Sequence, residues 1–303
     1  LPDKLAWIAA IWMASSLEIR ALQSGDIPLI VDWARAEGFC PGHGDVEIYR
    51  QTDSQGLWVA CLQQELIGCI AGVRYSQAYG FIGLFIVAPQ HRGRGYGLQL
   101  WRHALEHLTD VTCVGLEAAP ERIADYTSWG FQPASPTSRW RRQGSIAPGP
   151  PPEPPGLALV EAATLPDQVV QAYDAVRETS PRPHFLRDWL HHPAGKVLAL
   201  VDPLGQCHGF GRIRPCLLPR GSGWRIGPLL ADSPGLAELL LLGLLARHPG
   251  EVLLDAPGAN PAAAALMGKL GFTVSSATLR MYRGEQPSVS LADVYGLACL
   301  ELG

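Results

Sequence analysis

The chain has 303 residues, 47% of them apolar and 17% charged, with a formal charge of −4. That length holds one large or two ordinary domains, and that composition builds a core and excludes a disordered chain. The negative balance gives no electrostatic case for nucleic acid as the main partner.

Residues 1–16 carry an apolar run, Leu5 to Ala14, behind Lys4. It is too short to span a membrane and reads as an N-terminal extension forming an extra helix. Leu17 to Leu22 reads as a first strand. Ser24 or Asp26 then offers an N-cap for a helix through Ile30 and Trp33 that stops near Gly38. A loop, Phe39 to Asp45, leads to a short helix over Val46 to Arg50. Leu57 to Leu62 and Leu66 to Tyr75 read as two strands joined by Gln63-Gln64-Glu65, and Phe81 to Val87 as the next.

The stretch Gln90-His91-Arg92-Gly93-Arg94-Gly95-Tyr96-Gly97 follows that strand and opens a helix over Leu98 to Leu108. Strand, glycine turn and helix start in this order make an anion cradle. Backbone N–H groups and the helix N-terminus favour one phosphate position, and glycines let the backbone approach it without a Cβ between. Arg92 and Arg94 add charge suited to a polyphosphate. Val111 to Leu116 reads as a strand, Glu121 to Trp129 as a helix closed by Gly130, and Ser138 to Arg141 as a short last strand.

Residues 147–156 hold six prolines in ten, a stiff linker that places a domain boundary there. The sequence after it echoes the sequence before it. Gly130-Phe131 returns as Gly271-Phe272 and Arg139 as Arg280, both 141 residues later. Ile82-Gly83-Leu84-Phe85 returns as Ile226-Gly227-Pro228-Leu229, and Leu116-Glu117-Ala118-Ala119-Pro120 as Leu254-Asp255-Ala256-Pro257. Four echoes in one order predict two copies of one fold. The counterpart of the glycine turn, Ala231 to Leu236, keeps one glycine and no arginine. The second copy is therefore expected to keep its fold, lose its cofactor and cover one side of the acceptor pocket.

Gln90-x-x-Gly93-x-Gly95 after a strand, with Tyr126-x-x-x-Gly130-Phe131 about thirty residues on, resembles the acetyl-CoA signature of the GCN5-related N-acetyltransferases. The resemblance implies a mixed α/β sheet and two such folds in tandem: an extension at 1–16, an acetyltransferase domain at 17–146, the linker at 147–156, and a degenerate domain at 157–303. The tail from Tyr295 to Gly303 resembles the closing strand of the tandem bacterial subfamily. The resemblance further implies a sheet splayed between its fourth and fifth strands. Pantetheine would pair with the backbone near Phe85, Ile86 and Val87, and pyrophosphate would sit on the N–H groups from Arg92 to Gly97, with Gln90, Tyr96 and Tyr126 also in the acetyl-CoA site.

Acetyl transfer to an amine needs proton removal, oxyanion stabilisation and a proton for the thiolate. Tyr126 is the acid that the family motif supplies. Glu117, ending its strand at the mouth of the splay, is the candidate base and acceptor contact, and Asp45 and His43 are candidate acceptor contacts on their loop. No metal is expected: His191-His192 has no companion ligand at the right spacing. Seven cysteines without a CxxC read as buried thiols, which suits a cytoplasmic protein. The expected partner is a small-molecule or protein amine, with neither nucleic acid nor membrane, and the chain a monomer or homodimer. A non-catalytic acyl-CoA sensor is the rival reading. A nucleotide-binding protein lacks its Walker lysine and its ribose carboxylate here.

Overall fold

A computed structural model describes residues 17–143 and 149–303; the expected N-terminal helix and the start of the proline-rich linker lie outside these. The first half runs β1 (Leu17–Ala21), α1 (Ile27–Ala36), α2 (Asp45–Thr52), β2 (Leu57–Leu62), β3 (Glu65–Arg74), β4 (Tyr79–Val87), α3 (Tyr96–His107), β5 (Cys113–Ala118), α4 (Ile123–Ser128) and β6 (Gln132–Arg142). The second runs β7 (Ala158–Glu161), α5 (Asp167–Ala175), α6 (Pro183–His191), β8 (Lys196–Val201), β9 (Cys207–Leu217), β10 (Ser222–Ala231), α7 (Pro234–Leu245), β11 (Val252–Pro257), α8 (Pro261–Lys269), β12 (Thr273–Gly284) and β13 (Val294–Gly296).

Among the described residues thirteen strands form one mixed sheet, in the order β1-β2-β3-β4-β5-β12-β6-β11-β10-β9-β8-β7, with β13 on β10. The two halves exchange their long late strands. β12 inserts between β5 and β6, and β6 pairs with β12 on one side and β11 on the other. Both neighbours of β6 thus belong to the second half. The sequence reading of a short strand at Ser138–Arg141 missed its first residues, because Pro133 and Pro136 look like loop chemistry. The tail is also corrected. Of Tyr295–Gly303 only the first two residues lie in a strand, β13, which pairs with β10.

Layers follow from periodicity. α3 buries Leu100, Trp101, Ala104 and Leu105, a helical stripe, against the outer face of the first half. α7 is apolar nearly all round and buries seven residues against the second half. The inner face is shared: Ile30 and Ala34 of α1, Tyr49 of α2, Tyr173 of α5 and Trp189 of α6 belong to one core. A fully buried aliphatic side chain such as Ile30 contributes about 1.5–3 kcal/mol of burial free energy. All seven cysteines are buried and free. No helix among the described residues is long and apolar enough to cross a membrane.

Candidate active site

β4 and β5 run parallel and pair only from Tyr79↔Cys113 to Ile82↔Leu116. Beyond Ile82, β4 keeps β3 as its partner through Val87 but has no strand partner on the other side among the described residues, so Gly83–Val87 presents a free backbone edge to a V-shaped opening. A register irregularity against β3 falls in this region, with Leu84 at φ +46. Such a bulge re-aims backbone groups beside an active site. Gly83 has to be glycine, because a Cβ would lie 1.9 Å from the Glu301 carbonyl oxygen of the tail.

The glycine turn closes the V at its outer end. Gly93 (φ +73) and Gly95 (φ +83) are both left-handed, which favours glycine, and a Cβ on either would meet nothing: the loop is shaped by backbone conformation and not by crowding. Gly95 stands at the N-cap of α3 with no side-chain cap. No carbonyl or side chain among the described residues accepts from the N–H groups of Gly93, Arg94, Gly95, Tyr96, Gly97 or Leu98. These open amides together with the helix dipole form an anion site. Gly97 lets α3 start close to β4, since its Cβ would stand 3.3 Å from the Phe85 and Val87 side chains. Gln90 and Arg94 are exposed, Tyr96 half-buried. Arg92 departs from expectation: its Nε donates to the Val87 carbonyl at 2.8 Å and its other end to Glu37, so it braces the loop against β4 and α1.

Tyr126 faces the same outer layer from α4. Its ring lies 5.1 Å from Trp101 and 6.4 Å from Phe131. Burial raises the pKa of its phenol, which therefore stays protonated at neutral pH. Gly130 (φ +85) ends this helix and turns the chain so that Phe131 is fully buried.

Glu117, the candidate base, is a buried and paired carboxylate near the end of β5. Its side chain is 3% exposed and pairs with Arg280 of the exchanged β12 at 2.7 Å. Its Oε1 accepts from Arg280 Nε and from Thr137 Oγ1, and its Oε2 from Thr278 Oγ1 at 2.7 Å. One lone-pair position remains, on Oε2. Asp255, its echo in β11, is held in the same way by Arg139 of the exchanged β6, at 2.7 and 3.0 Å. Each copy's fifth-strand carboxylate is thus clamped by the other copy's late-strand arginine. The arginine echo was visible in the sequence, but its crossed pairing was not.

Asp45 is also corrected. It is fully buried, bound by Arg214 of β9 at 2.7 and 2.8 Å, and accepts the Gly42 N–H at 3.0 Å. A substrate contact would require breaking that pair. His43 is exposed, but its backbone N–H donates to the Pro215 carbonyl at 2.8 Å, so this loop docks on β9. No group of three or more His, Cys, Asp or Glu among the described residues is arranged to hold a metal ion.

The second copy treats its equivalent helix start differently. Ser233 caps α7, its side chain accepting from the Leu236 N–H, and Pro234 follows it. The exposed glycine loop with open amides is absent at this helix start. Two comparisons with known families fall on the same two halves: the acetyltransferase (GNAT) family matches residues 27–131, and an acetyltransferase (GNAT) domain matches 170–296. The chain belongs to the GNAT acyltransferase family. It is 30% identical over 282 residues to holothin acyltransferase of Pseudoalteromonas sp. (strain SANK 73390), covering 91% of this chain and 90% of that protein. Among solved structures, a putative acetyltransferase from Pyrococcus horikoshii shares the fold with a TM-score of 0.77 and 24% identity, over 95% of this chain and 96% of that one. A tandem GNAT protein from the clavulanic acid biosynthesis pathway does so at TM-score 0.64 and 17% identity, over 90% of this chain and all of that one.

Proposed function

We propose that this GNAT chain is an acyl-CoA-dependent N-acyltransferase with one active site, in its first half, moving an acetyl group to an amine. The observation that carries this reading is the open glycine cradle, the unpaired amides from Gly93 to Leu98 beside the free edge of β4. Pyrophosphate would rest on those amides, with Arg94 adding charge and Arg92 holding the loop in shape. The pantetheine arm would pair along Phe85, Ile86 and Val87 as an added strand does.

The amine nitrogen attacks the thioester carbon, and an N–H on the free β4 edge holds the resulting oxyanion. Collapse breaks the carbon–sulfur bond. Tyr126 donates its proton to the departing thiolate, and the amine proton leaves to Glu117 through its remaining Oε2 position, directly or by way of water. The relative's name makes holothin the first acceptor to try.

The three donors on Glu117 favour a second reading, an acyl-CoA-binding sensor without turnover. Thiol release from acetyl-CoA with an amine panel that includes holothin separates the two. Acceptor-dependent thiol supports the enzyme; CoA binding with no acceptor-dependent thiol supports the sensor.

A further inference from the structure

Six arginines are buried: Arg139, Arg182, Arg212, Arg214, Arg225 and Arg280. Five meet a carboxylate at 3.0 Å or closer. Arg212 of β9 meets none among the described residues. Its Nε and both terminal nitrogens are buried and lack any hydrogen-bond partner among the described residues. Stacking on Trp189, at 4.4 Å from the ring centroid, offsets part of the desolvation. A guanidinium cannot escape by losing its proton under ordinary conditions, so the unpaired charge remains costly. Burial, and then the neighbouring Arg214 charge, push its pKa down to about 9.

A second donor-rich feature adjoins it. α2 starts at Asp45 after Gly44 (φ +84), with no side-chain cap. The N–H groups of Gly44, Val46 and Glu47 have no acceptor among the described residues. This eight-residue helix thus presents an open positive end. His192 joins the two features. Its Nε2 lies against Gly44, where a Cβ would stand 2.1 Å away, and its pKa is lowered by burial and then by the Arg212 charge. Its Nδ1 accepts the Ala194 N–H at 3.2 Å, which leaves the proton on Nε2 as one more donor. The nearby carboxylate, Asp45, is already committed to Arg214. Gly195 completes the wall, as a Cβ there would meet Arg212 Nε at 2.5 Å.

We propose that the seam between the halves is an anion site, in which Arg212, His192 Nε2 and the start of α2 hold a small carboxylate or another monovalent anion. The inference does not depend on the acyl-transfer reading. The same donors suit a halide, so bromide is a usable probe.

Crystals of the full chain soaked in sodium bromide would give an anomalous peak in contact with the Arg212 guanidinium. In parallel, the melting temperature would be followed at constant ionic strength as sodium acetate replaces sodium gluconate, whose anion is bulkier. A rise of about 3 °C between 1 and 100 mM acetate is expected for a millimolar site. The response should vanish in Arg212→Met and weaken in His192→Phe, which keeps a ring and removes the donor. A bromide map showing only water at Arg212, or the same acetate response in wild type and Arg212→Met, would overturn the proposal. Should Arg212→Met fail to fold, the wild-type bromide map decides alone.

Discussion

Replacing Arg280 by Met tests whether the exchanged strands are locked by their crossed ion pairs. The substitution keeps most of the side-chain volume and removes the guanidinium that binds Glu117 Oε1 at 2.7 Å. Glu117 is then a carboxylate, 3% exposed, with only the hydroxyls of Thr137 and Thr278 to hold it. One charge-assisted bond is worth about 1.5–3 kcal/mol, and stranding a buried charge brings the expected loss to about 3–5 kcal/mol. That is a large share of a typical folding free energy of about 5–15 kcal/mol. Urea unfolding of Arg280→Met should show the loss. The double variant Glu117→Leu with Arg280→Met should recover most of it, because no charge is left unpaired. A single variant that loses less than about 1 kcal/mol, or a double variant as unstable as the single, would refute the reasoning.

Gly95→Ala places a Cβ at φ +83, a left-handed position that costs about 1–2 kcal/mol. The loop should relax away from the cradle and raise KM for acetyl-CoA about tenfold, with the amine KM unchanged, in a thiol-release assay. Tyr126→Phe keeps the packing on Trp101 and removes the acid, so kcat should fall about 100-fold with little change in either KM. In wild type, any alkaline limb of kcat owed to Tyr126 should lie above pH 10, since burial raises that pKa from 10.0. Asp255 is a stability prediction. Burial opposes its ionisation, but Arg139 and Arg225 outweigh it and hold the pKa at about 2, against 3.8 unperturbed. A depressed carboxylate pKa contributes stability that is present above pH 3.8 and lost as the pH falls towards 2. Asp255→Asn should therefore flatten the acid limb of stability between those values, measured by urea midpoint.

The shape of the candidate site's glycine turn was legible in the chain itself. Gly93 and Gly95 are both left-handed ahead of a helix, a place that admits few other residues, and Gly130 is left-handed at a helix end before the buried Phe131. Element boundaries were less legible. β6 read short, since Pro133 and Pro136 argue against a strand until a partner on each side holds it. Asp45 and Arg92 read as ligand contacts, because a charge on a loop is open by default. Only the packed chain shows Arg214 and Glu37 beside them.

The sequence by itself determined that one fold occurs twice, with one open glycine turn, and it marked Glu117, Arg139, Asp255 and Arg280 as repeated positions. Local chemistry suffices there, because turns, caps and periodicity act within a few residues. Tertiary structure decided how those repeated charges pair. A repeat is equally consistent with each carboxylate meeting the arginine of its own copy. Strand exchange sets Glu117 opposite Arg280 and Asp255 opposite Arg139, across 163 and 116 residues of chain. Sheet register between distant strands carries no short-range signal, so the crossed clamps, and the unpaired Arg212 at the same seam, exist only in the folded protein.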